Sequence, residues 1–428
     1  MNLTKLLEQK TDPAFRKRLR DISFYSEKWN LKPYLVGGIV RDLFLSKTPK
    51  MDCDVTVSGG DTHLLATTLS RHWKAEHTQH PTFLTHTFKF LDGSTLDLVT
   101  AREERYPRPA ALPVVKKGSL LSDLLRRDFS INAMALSLNE ENWGELVDPL
   151  GGLLNLKHKQ IKILHPRSFE DDPTRIFRVA RFLCRFLLEL EGETRKALGE
   201  AVRRKMILKL SGDRVRGEIE KIIEEKEPMR VFAQLGEWGV LEQINPGADW
   251  IPAFAGMTTG KGMTSGLTGK ERVGFYLSYL LIKNKIVKVK TLLDFLHFDR
   301  EIQEMVLGNL ELVEVFTRGE WGNRRNWGQS IEKNWGQSLK GQSPILFRFF
   351  DDFIRSKEGG RFKNSWHRYQ KWCKSVPLLD GEGLKRLGWI PGPVFKEIFH
   401  KIQMEKFMGR LKNIKDEIKF VVDNFRRD

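Results

Sequence analysis

Tyr34-Leu35-Val36-Gly37-Gly38-Ile39-Val40-Arg41-Asp42 decides how the first third of this sequence folds. A short apolar run stops at a glycine pair and gives way to helical spacing from Ile39 to Leu45, so a strand hands over to a helix. Glycines at such a junction allow close backbone approach. A helix start offers free N–H groups and partial positive charge to a phosphate, and Arg41, one turn in, adds a forked cation. Taken alone, a Gly-Gly turn is more often only a turn.

Working outward, Asp54-Val55-Thr56-Val57 and Thr95-Leu96-Asp97-Leu98-Val99 are β-branched or alternating runs bounded by Gly, Asp and Ser, the pattern of strands. Phe83 to Phe90 is a further strand, joined to the Thr95 strand by a turn at Asp92-Gly93, and residues 61–73 have helical spacing. Asp52 and Asp54, two apart at the start of a strand, point to one face. Two acids held together repel unless a cation neutralises them, which makes Asp52-Cys53-Asp54 a candidate magnesium site. The alternative is a solvated turn in which one of the two caps a neighbouring segment. Asp97, flanked by Leu96 and Leu98, must meet a cation or donors if it is buried. If its strand lies beside the one beginning at Asp54, three acids meet. Two metal ions about 3.5–4 Å apart could then activate a hydroxyl and steady a leaving pyrophosphate.

Arg126-Arg127-Asp128-Phe129-Ser130-Ile131-Asn132-Ala133 follows. The paired arginines suit a nucleoside triphosphate tail; the bland alternative is that Asp128 or Ser130 caps a helix running through Met134 and Leu136. Asp148-Pro149-Leu150-Gly151-Gly152 reads as a tight turn closing the N-terminal region. In Asp171-Asp172-Pro173-Thr174-Arg175-Ile176-Phe177-Arg178-Val179-Ala180-Arg181-Phe182, Asp172, Arg175, Arg178 and Arg181 recur every three residues, so they drift round one side of a helix started by Pro173. A solvated face usually alternates charge sign; arginines stacked on one side repel, which suggests an anionic ligand. Asp172 with Arg175 presents acceptors and donors suited to the edge of a base.

Composition sets the frame. The chain has 428 residues, a formal net charge of +17 and 40% hydrophobic residues, a globular mix whose length suggests two to four domains of roughly 100–200 residues. The positive excess favours a polyanionic partner, nucleic acid before an anionic membrane surface. No uncharged apolar run reaches the roughly 18 residues of a membrane span, and Met1 to Arg20 lacks the apolar stretch of a signal peptide. Cys53, Cys184 and Cys373 are too few and too scattered for a disulfide framework, so a reducing cytoplasm is the expected location. After Gly151-Gly152 the pattern turns to amphipathic helices. Two stretches interrupt it: Trp250 to Lys270, rich in Gly, Thr and Met, and residues 321–343, which repeat Asn-Trp-Gly-Gln-Ser at 326–330 and 334–338. Both are expected to be surface insertions.

In this order, Gly37 to Asp42, Asp52-x-Asp54, Arg126 to Ala133, Asp148 to Gly152 and Asp172-x-x-Arg175 resemble the motifs of the class II tRNA nucleotidyltransferase/poly(A) polymerase family, within the polymerase-β-like nucleotidyltransferases. The resemblance implies an α+β fold: a head of mixed sheet and helices over 1–153, then an elongated helical neck over 154–245, body over 246–375 and tail over 376–428. It further implies that Asp52 and Asp54 hold catalytic Mg2+, with Asp97 as third carboxylate. Gly37, Gly38, Arg41 and Arg127 would contact the nucleotide. Asp172 and Arg175 would select CTP or ATP by the base edge, and Arg178 and Arg181 would support the nucleotide from the same helix. The implied reaction is attack of a tRNA 3′-hydroxyl on the α-phosphate, adding C and/or A residues. A poly(A) polymerase shares these motifs, and a non-catalytic RNA-binding protein of the same fold is the alternative from another class.

Overall fold

The computed structural model describes residues 1–45, 53–244, 267–281, 284–317, 363, 367, 370–371 and 374–425. The chain divides into two compact units, Met1–Gly247 and Ala248–Asp428. The N-terminal unit opens with helices α1 (Thr4–Lys10) and α2 (Pro13–Glu27), followed by β1 (Lys32–Val36), α3 (Gly38–Phe44), β2 (Cys53–Ser58), α4 (His63–Trp73), β3 (Glu76–His80), β4 (Thr85–Lys89) and β5 (Thr95–Thr100). A hairpin of β6 (Arg102–Arg105) and β7 (Val114–Lys117) leads to α5 (Leu120–Leu125), β8 (Ala135–Ser137) and β9 (Leu146–Val147). The main sheet has the order β3-β4-β5-β2-β1-β8-β9, and within it only β2 and β5 run parallel.

Strand alternation assigns the two faces. Leu35, Cys53, Val55, Val57, Phe88, Leu96 and Leu98 enter one core with Phe15, Leu19 and Ile22 of α2 and Leu65 and Leu69 of α4. Their neighbours in phase, Asp54, Thr56, Thr87 and Asp97, therefore point to the opposite face. Tyr34 and Val36 join Leu124, Ala133 and Ala135 there. Helix α2 starts where the sequence chemistry puts it: the Asp12 carboxylate accepts from Phe15 N at 2.8 Å and Pro13 takes the first position.

The strands expected at Tyr34–Val36, Asp54–Val57, Phe83–Phe90 and Thr95–Val99 and the helices expected after Gly38 and over 61–73 are present. The helix offered as the alternative through Met134 and Leu136 is not. Ser130–Asn132 makes a single 3-10 turn and Ala135–Ser137 is strand β8. Burial there has period two: Ala133 and Ala135 enter one core, Met134, Leu136 and Leu138 the other. A helix cannot bury adjacent residues alternately on opposite sides.

Beyond β9, Asp148 accepts from Gly152 N at 2.7 Å and Leu153 N at 2.9 Å and starts α6 (Gly152–Lys157). Then come β10 (Gln160–Ile161), α7 (Ser168–Asp171), α8 (Thr174–Phe186), β11 (Glu189–Leu190), α9 (Gly192–Arg203), α10 (Gly212–Ile223), α11 (Pro228–Glu237) and α12 (Val240–Ile244). Helix α8 buries Ile176, Val179, Phe182 and Leu183 and packs against α10 and α11.

In the second unit α13 (Gly269–Leu281) and α14 (Ile286–Phe295) pack on α15 (Arg300–Thr317). Helices Gly381–Arg386, Pro393–Phe407 and Ile414–Asn424 surround a core of Leu379, Leu384, Trp389, Ile398, Ile402 and Val421. Glu417, fully buried, accepts from Leu378 N and Leu379 N and pairs with Lys406. The repeats at 321–343 lie outside the described residues. Helix α13 already begins at Gly269, so an insertion ending at 270 runs into its first turn. Among the described residues, no helix is long and apolar enough to cross a membrane.

One feature of the sheet edge bears on stability. His86 of β4 is buried under α4, its Nδ1 lies 2.9 Å from His77 Nε2, and the His63 ring is 5.9 Å away. Burial first, then the charges of His77, His63 and His80 against only Asp61, hold the His86 pKa down to about 4. The unfolded chain takes up this proton near pH 6.5, so the imidazole's contribution is complete above that pH and is lost as pH falls toward 4, at no more than about 1.4 kcal/mol per pH unit. We expect His86→Asn to flatten the fall of thermal stability between pH 6.5 and 4.5. Melting curves with the same slope in both proteins would contradict it.

Candidate active site

The parallel register of β2 and β5 sets Asp54 directly beside Asp97. Neighbouring positions in a parallel pair share a face, so the two carboxylates stand next to each other. Asp54 is exposed by surface area, although the groups around it partly desolvate its carboxylate. Desolvation pushes its pKa up; Arg127 opposes this and Asp97 adds to it. Asp97 Oδ1 accepts from Thr87 Oγ1 at 2.6 Å, which orients the carboxylate from β4. Asp52 lies outside the described residues.

The glycine turn borders this pair. Gly37 has φ +82°, and a Cβ there would come 3.0 Å from Arg127 Nη1 and 3.5 Å from Asp54 Oδ2. Glycine is thus needed twice, for the backbone conformation and for the approach of a cation and a carboxylate to the main chain. A Cβ on Gly38 would come 3.3 Å from Arg41 Nη2. Arg41 itself is turned inward: it is 5% exposed, bonds Asp42 Oδ1 through Nε and Asn132 Oδ1 through Nη1, and lies 4.5 Å from the centre of the Phe186 ring.

Arg127 donates from Nη2 to Asp123 Oδ2 at 3.0 Å, while its buried Nε has no hydrogen-bond partner among the described residues. A guanidinium next to Asp54 with donor capacity left over is well suited to a polyanion. Arg126 is clamped by Asp123 and Glu104, and its carbonyl accepts from Arg175 Nη2 at 2.7 Å. Arg175, 4% exposed, also donates to Ser168 Oγ. Asp172 ends α7 rather than opening α8; its Oδ1 accepts from Thr174 N, Thr174 Oγ1 and, at 2.7 Å, Arg214 Nη2.

The expected stack of repelling arginines on α8 is not what the fold contains. Arg178 pairs with Asp128, donating from Nε at 2.7 Å, and Arg181 pairs with Glu225 at 2.9 Å and Glu218 at 3.5 Å. Their charges are met by carboxylates from the 126–133 segment and from α10 and beyond, so mutual repulsion does not by itself call for an anionic ligand. Thr87, Glu104, Asp123, Asn132 and Arg214 shape the site, and sequence reasoning assigned none of them a role. Asp123 alone carried a local signal, standing three and four residues before the paired arginines.

A pair of aspartates offers hard oxygen donors of the kind a small divalent cation takes. The raised Asp54 pKa is an electrostatic strain that such a cation relieves. Among the described residues, no group of three or more His, Cys, Asp and Glu is arranged to hold a metal, so the fit rests on Asp54 and Asp97.

Side-by-side carboxylates on a mixed sheet, bordered by a glycine turn and an arginine, with a helical region following, are the arrangement that the sequence resemblance implies for a nucleotidyltransferase head. Residues 33–162 match the family described as Poly A polymerase head domain, and residues 188–251 match the probable RNA and SrmB-binding site of polymerase A. The A-adding tRNA nucleotidyltransferase of Geobacter sulfurreducens is 30% identical over 94% of this chain; the chain spans 46% of that relative's length. The enzyme of the same description from Halalkalibacterium halodurans is 27% identical over 99% of this chain and 96% of its own. The Thermotoga maritima CCA-adding enzyme solved in complex with tRNA superposes with a TM-score of 0.74 at 26% identity, covering 100% of this chain and 99% of that one. Residues 33–162 and 188–251 thus match the two family regions, and the chain is similar along almost its whole length to A-adding and CCA-adding enzymes.

Proposed function

We propose that this protein adds C and/or A residues to the 3′ end of tRNA from CTP and ATP, with Mg2+ held by Asp54 and Asp97 and by Asp52. The carrying observation is the parallel register that sets Asp54 beside Asp97 within reach of Gly37 and Arg127. The curated relatives named as A-adding enzymes and the CCA-adding enzyme solved with tRNA support the substrate assignment.

A cation held by these carboxylates would supply charge neutralisation for the attacking hydroxyl and the leaving pyrophosphate. The protein's part is positioning and electrostatics. Arg127, aimed by Asp123, receives the triphosphate beside the Gly37-Gly38 turn. Thr87 fixes the Asp97 carboxylate. Arg175, tied to the Arg126 carbonyl, and Asp172, tied to Arg214, present the base-selecting edge, so the base reader and the triphosphate contact are braced through the same Arg126-Arg127 segment. Arg178, Arg181 and Arg41 serve this arrangement through Asp128, Glu225 and Asn132 as much as by direct contact.

The deciding experiment uses tRNA transcripts ending before CCA, after the first C and after the second C, each incubated with CTP, ATP and Mg2+. Incorporation into at least one, ending no later than the terminal A, is the expected result. Long A tails on generic RNA favour a poly(A) polymerase, and no incorporation into any transcript sinks the proposal.

A further inference from the structure

We infer that Asp123 is a positioning residue that sets the aim of Arg127 and ties it to the base-selecting side of the site. It lies on α5, completely buried, in a place no motif of the sequence marks out. Its Oδ1 accepts from Arg126 Nε at 3.0 Å, and its Oδ2 accepts from Arg127 Nη2 at 3.0 Å and from Thr56 Oγ1 at 3.2 Å. Thr56 sits two residues from Asp54 on β2 and so shares its face. One carboxylate therefore joins the strand that carries Asp54, both paired arginines and, through the Arg126 carbonyl, Arg175.

Such a group is costly to bury unless its charge is met. Desolvation works against the ionised form, but Arg126 and Arg127 outweigh it, and the pKa lies below the usual carboxylate range. Asp123 is thus a permanent anion at neutral pH. Its effect on Arg127 is directional. The guanidinium is held through Nη2, which leaves Nη1 beside Gly37 and the Asp54 carboxylate and leaves Nε without a partner among the described residues. Without the Asp123 charge, Asp54 is the carboxylate left beside Arg127 among the described residues. Arg127 would collapse onto it, and both the triphosphate contact and the carboxylate would be quenched together.

This inference rests on Arg127 being a triphosphate contact, and the experiment separates the two. Affinities for ATP and AMP are measured by equilibrium dialysis with Mg2+ for the full chain, Asp123→Asn, Arg127→Met and the double variant. Asp123→Asn is expected to weaken ATP binding about tenfold or more while AMP changes by less than about twofold, as for loss of a charge-assisted hydrogen bond. In the Arg127→Met background it should add little, because coupled residues are not additive. Equal losses for ATP and AMP, or an undiminished loss in the Arg127→Met background, would reduce Asp123 to a structural carboxylate. If Arg127→Met alone leaves the ATP/AMP ratio unchanged, the triphosphate assignment falls and the inference falls with it. Should Asp123→Asn not fold, Thr56→Val keeps the test: it is expected to lower the same ratio about two- to fivefold, and an unchanged ratio overturns the role.

Discussion

Asp54→Asn is expected to lower nucleotide incorporation by about a thousandfold or more, the effect of losing several kcal/mol of metal-dependent stabilisation. RNA binding should change by less than about twofold, since the helical region remains. The same substitution should raise the melting temperature of the metal-free protein at neutral pH. The sign follows from the pKa. Asp54 is raised in the folded state by desolvation, only partly offset by Arg127, so ionising it above that pKa costs the native state free energy. An amide of the same shape removes that cost. In wild type a divalent cation relieves it instead, so added Mg2+ should raise the melting temperature at pH 7.5, less so at acidic pH where a proton competes, and not at all in the variant. Incorporation equal to wild type would refute the metal assignment, and a lower metal-free melting temperature would refute the electrostatics.

Arg178→Ala is expected to destabilise the N-terminal unit by about 3 kcal/mol, the low end for breaking a buried ion pair because the Arg178 side chain is 35% exposed on its outer side. Asp128, its partner, is 7% exposed and among the described residues keeps only Asn132 Nδ2 and Phe129 N as donors. For a unit of this size the melting temperature should fall by roughly 6–12 °C. Combining it with Asp128→Asn should recover much of the loss, because no buried charge is then left unpaired. A melting temperature unmoved by Arg178→Ala, together with weakened nucleotide binding, would return Arg178 to the role of a free nucleotide contact.

Much of the head was legible because its signals are local. The alternation through Tyr34–Val36, Asp54–Val57 and Thr95–Val99, punctuated by glycines, marks strands without reference to anything distant, and Asp97 between two leucines announced a carboxylate in need of a partner. The segment after Arg127 misled because Ser and Asp before apolar residues also precede helices; here two cores on opposite sides of β8 impose period two. The arginines of α8 misled for a related reason. Spacing places them on one side of a helix but does not say that Asp128 and Glu225, remote in the chain, face that side.

By itself the sequence determined the strand-turn-helix unit at Gly37-Gly38, the carboxylates available to a cation, the paired arginines and the family resemblance, all properties of short windows. The tertiary structure alone decided which of these groups are neighbours. Parallel pairing of β2 with β5 sets Asp54 against Asp97, and the burial of Asp123 makes it the common anchor of Arg126, Arg127 and Thr56. Arg41, Arg178 and Arg181 turn to internal partners. The physical reason is that charge pairing in a folded chain depends on distance in space and on desolvation. Neither is a function of sequence separation.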